Sequence, residues 1–329
     1  LHNLLIAASA SQALESALAK YKDRIRTLAI QPDRRLTLEG QSVETADYPV
    51  HLAWLSQHIM EERTVSTFAK LITSASELKW MQTVSAGLDS PLFKQVIDKG
   101  ARLSNSDAQS PAIAEYVLGS VLHCFQAFPE RWAHQAAKEW TTVPFREIWD
   151  TNWLVIGFGN IGQRVGRMVK SFDGHVVGVK RGHSKHPDAD NIITFDELAA
   201  YIPDADVVVI ACALTDQTRG LVDAALLERL KSGTVLVNIA RGAVIDESAL
   251  LDTLDTDRIS HAILDVFTIE PLPTDSPLWT HEKVHLTPHA SYAGRGTNTR
   301  ADRLFLNNLE AFLDGRPLRN EIDSGYFQP

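Results

Sequence analysis

Leu154-Val155-Ile156-Gly157-Phe158-Gly159-Asn160-Ile161-Gly162 is the stretch whose reading decides the fold. Three apolar residues form a short buried strand, and a helical pattern runs on from the last glycine to about Phe172. Between them stands G-x-G-x-x-G in the strand-to-helix setting that gives this pattern meaning. The first glycine, Gly157, permits the tight turn. The second, Gly159, lets backbone approach a pyrophosphate. The third, Gly162, allows the helix to pack closely on the strand. Free N–H groups and the positive dipole end of the helix then face the phosphates. A second strand at Val176–Val179 follows at the spacing of a βαβ unit, so the stretch reads as a dinucleotide-binding loop.

Working outward, the pattern continues as strands at Leu154–Ile156, Val176–Val179, Val207–Ile210, Val235–Asn238, Ala262–Leu264 and Val284–Leu286, with helical segments between them. Before the loop, Leu4–Ala8, Thr27–Ile30, Leu52–Leu55 and Leu78–Val84 read as strands. Helices are expected at Ala13–Tyr21, Thr64–Thr73 and Ser90–Lys99, the last stopped by Gly100. Pro111–Phe128 reads as a long apolar helix, Pro129–Asn152 as an irregular tryptophan-rich connection, and Asn298–Leu313 as the final helix. Alternation of this kind predicts an α/β layer structure with a mostly parallel sheet.

Composition narrows the function. The 329 residues are 44% hydrophobic and 22% charged, ordinary for a globular chain. A net charge of −9 disfavours a nucleic-acid partner, which would call for a basic surface. The two cysteines, Cys124 and Cys212, are far apart and apolar in setting. They read as buried free thiols, with no disulfide framework and no metal site, in keeping with a cytoplasmic protein. Leu4–Ala10 faintly resembles a signal-peptide core, but no basic stretch precedes it, and a first strand is the better reading. No run approaches transmembrane length, so no membrane partner is expected.

The end of the second strand speaks to cofactor choice. A site for NAD usually places Asp or Glu there to bond the ribose 2′-hydroxyl. Here Val179 is followed by Lys180-Arg181-Gly182-His183-Ser184-Lys185. A 2′-phosphate would be attracted by Lys180 and gripped by Arg181. NADP(H) is therefore the expected preference, with NAD(H) the alternative. A solvated basic turn is the plain competing reading.

Three segments place polar residues just past later strands, the edge where parallel sheets bind ligands. They are Asn238-Ile239-Ala240-Arg241-Gly242, Asp265-Val266-Phe267-Thr268-Ile269-Glu270-Pro271, and Thr287-Pro288-His289-Ala290-Ser291. Arg241 suits a carboxylate through paired charge-assisted bonds. His289 suits proton donation to a carbonyl oxygen that becomes a hydroxyl. Glu270 suits a partner that favours the charged imidazole. Singly, each is better read as a surface arginine, a loop charge and a turn histidine. Together, beside a dinucleotide loop, they point to hydride reduction of a 2-oxo acid.

These segments, with Val84-Ser85-Ala86-Gly87-Leu88-Asp89, Ala114-Glu115-Tyr116 and Leu214-Thr215-Asp216-Gln217-Thr218-Arg219-Gly220, resemble the D-2-hydroxyacid dehydrogenase family from about Ser85 to Ala290. The resemblance implies that Arg241 orients substrate, that His289 is the acid/base and that Glu270 is its partner. It implies that the backbone around Ser85, Ala86 and Gly87 holds the substrate carboxylate. It places Gly157, Gly159, Asn160, Ile161 and Gly162 along the pyrophosphate. Ala213, Thr218, Ala240, Arg241, Asp265 and His289 would line the cofactor, Asp265 at the nicotinamide carboxamide. The resemblance further implies an α/β protein of two Rossmann-like or flavodoxin-like domains with parallel sheets and the active site in the cleft between them. Residues 1–100 with 293–329 would form a discontinuous substrate domain, and 101–292 the dinucleotide-binding domain. A homodimer is also implied, covering the apolar helix Pro111–Phe128. Departures are Lys180-Arg181 in place of the NAD-type acid, Cys212-Ala213 before Leu214, and Ser85 where many relatives have glycine. The basic turn and the loop Asp275-Ser276-Pro277-Leu278-Trp279 look most similar to glyoxylate/hydroxypyruvate reductases. A reductase of bulkier 2-oxo acids, such as phenylpyruvate or branched-chain ones, is the alternative within enzymes. A dinucleotide-sensing, corepressor-like binding protein is the alternative outside them.

Overall fold

The computed structural model describes residues 1–44, 47–323 and 325–327. Its backbone divides into two units, Leu1–Gln109 with Arg295–Pro329, and Ser110–Gly294.

The first unit is built on a seven-stranded sheet ordered Gln41–Ser42, Leu36–Leu38, Ile25–Ile30, His2–Ala7, Leu52–Leu55, Trp80–Thr83 and Arg102–Ser104. The first two strands join antiparallel and the other pairings are parallel. The central strands are apolar on both faces, as a sheet covered by helices on two sides requires. The returning helix Thr297–Leu313 completes this core. Its Phe305 stacks on Trp54, at 4.9 Å with the ring planes nearly parallel, and on Trp80, at 5.9 Å. Asn308 on the same helix donates to Gln82 Oε1 at 2.8 Å, giving a buried polar pair a partner.

This explains where the boundary departs from the expected one. Residues 101–109 belong to the first unit, because Arg102–Ser104 is the sheet's seventh strand and pairs with Trp80–Gln82. Arg102 also binds Glu321 through both nitrogens Nε and Nη2, at 2.6 and 2.7 Å. A three-residue strand carries too little alternation to be read as one. The expected helix Ala13–Tyr21 is likewise earlier and broken, running as Ala8–Ala13, Glu15–Leu18 and a 3-10 turn at Ala19–Tyr21.

The second unit carries seven parallel strands ordered Asn191–Ile193, His175–Val179, Asn152–Ile156, Val207–Ile210, Thr234–Asn238, Ile259–Leu264 and Val284–Leu286. Chain order reverses about Asn152–Ile156, whose neighbours are the next strand on one side and a later one on the other. That reversal is the topological switch point at which such sheets bind ligands, and the glycine loop lies at its strand's carboxyl end. One sheet face packs on helix Ser110–Phe125 and helix Asn160–Lys170, through Val117, Val121, Val165 and Val169. The other buries Leu154, Val208, Leu236 and Leu264 with Leu227 and Leu250.

The segment expected to be irregular begins instead with a helix, Phe128–Ala137. Ala127 takes a left-handed conformation at φ 50° and ends the long helix, and Pro129 then suits the first turn of the next. No residue of this second helix is buried, so its tryptophan gave no inward stripe to read. Trp132, Trp140, Phe145 and Trp149 are exposed on this stretch. Among the described residues, no helix is long and apolar enough to cross a membrane.

Candidate active site

The glycine loop has the geometry its spacing predicts. Gly157 sits at φ 101°, and a Cβ there would fall 2.4 Å from the Cys212 backbone nitrogen. A Cβ on Gly162 would fall 2.4 Å from the Gly157 carbonyl oxygen. Gly159 is different: it is exposed, with nothing within 4 Å of its missing side chain. The helix Asn160–Lys170 starts directly after it. Its first-turn N–H groups have no acceptor within the helix, and the space beside Gly159 is open. The residues present therefore fit a dinucleotide pyrophosphate.

The turn after His175–Val179 holds the two cations together. Lys180 is half-buried and Arg181 exposed, and neither side chain makes an ion pair or hydrogen bond among the described residues. The next carboxylate along the chain, Asp188, is buried and engaged by Arg167 through two bonds at 3.2 and 3.0 Å. No acid therefore stands between strand end and turn to oppose a 2′-phosphate.

The catalytic candidates are gathered at the carboxyl ends of the later strands. Asp265, just past Ile259–Leu264, is 1% exposed. Its Oδ1 accepts from Thr287 Oγ1 at 2.6 Å, Ala290 N at 2.8 Å and Ser291 N at 3.1 Å, and its Oδ2 also accepts from Ser291 N. Its carbonyl accepts from His289 N at 2.8 Å. The carboxylate expected at the nicotinamide thus already binds the loop that carries the histidine. His289 stands at φ 51°, an uncommon conformation for a side-chain-bearing residue, held by these bonds. Its Nδ1 lies 2.8 Å from Glu270 Oε2, while Glu270 Oε1 accepts from Phe267 N at 3.0 Å. The Glu270–Pro271 peptide is cis.

Arg241 follows Thr234–Asn238 and precedes a 3-10 turn at Gly242–Val244. Asn238 pins the turn from both sides, accepting from Ala240 N and donating to the Arg241 carbonyl, each at 3.1 Å. Arg241 Nη1 donates to the Ala240 carbonyl at 2.7 Å. A Cβ on Gly242 would lie 1.9 Å from the Phe267 carbonyl carbon. The arginine turn therefore abuts the loop that leads to Glu270, and only glycine allows the approach. Ala240 is buried beneath it. The nearby loop residue Thr218 is also buried and donates to the Ala213 carbonyl at 2.7 Å, closing the 213–218 turn.

In the first unit, Ser85, Ala86 and Gly87 follow Trp80–Thr83. The Ser85 N–H is taken by Thr83 Oγ1 at 3.1 Å, and Asn105 Nδ2 holds the Ala86 carbonyl at 2.9 Å. The N–H groups of Ala86 and Gly87 have no acceptor among the described residues.

Three supporting residues, Tyr116, Thr287 and Asn238, stand in the quoted segments without a role assigned from sequence. Tyr116, on helix Ser110–Phe125, places its hydroxyl 2.8 Å from Thr287 Oγ1 and so extends the Asp265 network into the helix layer. Burial pushes its phenol above the usual range, keeping it a neutral partner. Asn238 is the third. Only the fold brings the tips of Tyr116 and Thr287 together.

Residues 118–291 match the family model described as D-isomer specific 2-hydroxyacid dehydrogenase, NAD binding domain. A relative from Corynebacterium melassecola, an uncharacterized protein in the proB 3′ region, is 31% identical over 259 residues, covering 76% of this chain and 84% of its own. The crystal structure of a D-isomer specific 2-hydroxyacid dehydrogenase family protein from Aeromonas salmonicida subsp. salmonicida A449 aligns with TM-score 0.77 and 28% identity, over 98% of this chain and 99% of that one. The NADPH-dependent glyoxylate/hydroxypyruvate reductase of Sinorhizobium meliloti shares the fold at TM-score 0.75 and 21% identity, over 98% and 99%. Since the family model spans more than half of its length and the Corynebacterium relative aligns across most of both sequences, this chain belongs to the D-isomer specific 2-hydroxyacid dehydrogenases, oxidoreductases acting on CH–OH donors.

Proposed function

We propose that this chain is an NADP(H)-preferring reductase of small 2-oxo acids of the glyoxylate or hydroxypyruvate type, yielding the D-hydroxy acid. The observation that carries the reading is the His289–Glu270 pair at 2.8 Å, held at a strand end beside the Arg241 turn. Gly157, Gly159 and the Asn160 helix start would hold the pyrophosphate, and Lys180 with Arg181 the ribose phosphate. When bound, the nicotinamide supplies the hydride that the substrate carbon accepts.

The residues divide the remaining work. Glu270 accepts from His289 Nδ1, which leaves Nε2 as the ring nitrogen that gives a proton to the carbonyl oxygen. The carboxylate also fixes the orientation of the ring for that transfer. Arg241 pairs with the substrate carboxylate and draws electron density toward the carbonyl oxygen. Asp265 positions the histidine loop and leaves His289 no need to reorder during the reaction. The NADPH dependence of the Sinorhizobium meliloti enzyme accords with this cofactor choice.

The His289→Asn variant should keep NADPH affinity, read by titration calorimetry, and lose turnover by roughly 10²–10⁴-fold. Turnover at the native level would remove His289 as proton donor.

A Lys180→Ala/Arg181→Ala variant should lower kcat/KM for NADPH by roughly 10- to 100-fold and leave that for NADH nearly unchanged. Equal losses with both cofactors, or a native preference for NADH, would contradict the phosphate assignment.

The exposed aromatic stretch leads us to propose a second copy of this chain as its cover. Analytical ultracentrifugation should give a dimer that Trp132→Glu shifts toward monomer. A monomer at all micromolar loadings would overturn this.

A further inference from the structure

Apart from the site above, one cluster of metal-binding side chains stands out in the second unit. Cys124 lies in the last turn of helix Ser110–Phe125, His261 in strand Ile259–Leu264 and His285 in strand Val284–Leu286. One ligating atom from each lies within 4.8 Å of the other two. His261 Nδ1 and His285 Nε2 are 3.1 Å apart. All three residues are half-buried, and the sheet register puts both histidines on the face that the helix covers, as Ile263 shows by packing there.

We propose that Cys124, His261 and His285 form a zinc site that clasps this helix to the outer strands of the sheet. The donor set is one thiolate and two imidazoles, which suits Zn²⁺ and not the oxygen-seeking Mg²⁺ or Ca²⁺. Tetrahedral zinc with Zn–N bonds of about 2.0–2.1 Å separates two ligating nitrogens by about 3.3 Å, close to the separation already present. A neutral imidazole keeps a lone pair for a metal, and both rings sit beside the helix on one face of the sheet. A cysteine thiol is ordinarily protonated at neutral pH. Binding then exchanges one proton for one cation: the S–H bond breaks, the S–Zn bond forms and H⁺ leaves to solvent. Water completes the fourth position.

The placement gives the site a structural purpose. Tyr116 on the same helix, two turns before Cys124, meets Thr287 just beyond His285. Both strands lead directly into the Asp265 and Thr287–His289 loops. A cation at Cys124 would therefore fix the helix against the strands near its end, and the tyrosine fixes it at its middle. The ligands are 137 and 24 residues apart along the chain, so no spacing pattern announces them.

Cobalt is the probe. Titrating the metal-free chain with Co²⁺ should give, at one equivalent, the intense visible bands of tetrahedral cobalt and an ultraviolet thiolate charge-transfer band. One equivalent of Zn²⁺ should bleach both. Cys124→Ser should abolish the charge-transfer band, and His261→Gln or His285→Gln should weaken cobalt affinity on the order of 100-fold. Circular dichroism of each variant checks that it is folded. For any variant that is not, Cys212→Ser offers the reciprocal test, because it removes the only other thiol and should leave the spectrum intact. No band at stoichiometric cobalt, a band that survives Cys124→Ser, or one lost with Cys212→Ser overturns the site.

Discussion

A carboxylate buried to 1% exposure must find donors, and Asp265 finds them in the loop after the neighbouring strand. That requirement ties the ends of two parallel strands together. It holds His289 at its left-handed backbone angle and brings its ring to Glu270. Glu270 is itself fixed by the Phe267 N–H, and Glu247 Oε1 takes the Thr268 N–H at 2.7 Å. The His289 ring is thus set by a chain of satisfied polar groups anchored in the sheet. Losing one partner would leave a buried acceptor unpaid for, which costs more than the bond itself is worth.

The same economy of position recurs at the sheet's switch point. Parallel strands end together, so the loops that follow them converge without long detours. The glycine loop, the Arg241 turn, the Asp265–Glu270 loop and the His289 loop all follow strands of one sheet. Close approach is allowed where a side chain would collide: at Gly157 against Cys212 and at Gly242 against Phe267. Catalytic geometry of this kind depends on rigid elements, and the polar ties at Asn238, Asp265 and Tyr116 supply the rigidity.

Much of this was legible in the sequence because each signal was local. The strand–glycine–helix order, the apolar runs and the polar residues just past strand ends all lie within a dozen residues of one another. The His289–Glu270 contact was readable because both segments resemble those of a known family. What escaped had other physical origins. The three-residue strand Arg102–Ser104 is too short to show a period, and it moved the boundary between units. Helix Phe128–Ala137 points its tryptophan outward, so amphipathic reading found nothing to bury. The engagement of Asp265 by residues 287–291, and the meeting of Cys124 with His261 and His285, depend on strand register that no single segment encodes.

The most direct test of the central claim follows the hydrogen itself. The chain would be supplied with hydroxypyruvate and NADPH carrying deuterium at both positions of the nicotinamide C4, and the product examined by NMR and chiral chromatography. The account predicts D-glycerate with one deuterium on C2, because hydride goes to that carbon while the His289 proton goes to oxygen. Product of the L configuration, product without deuterium at C2, or no turnover of this or any other 2-oxo acid would contradict it.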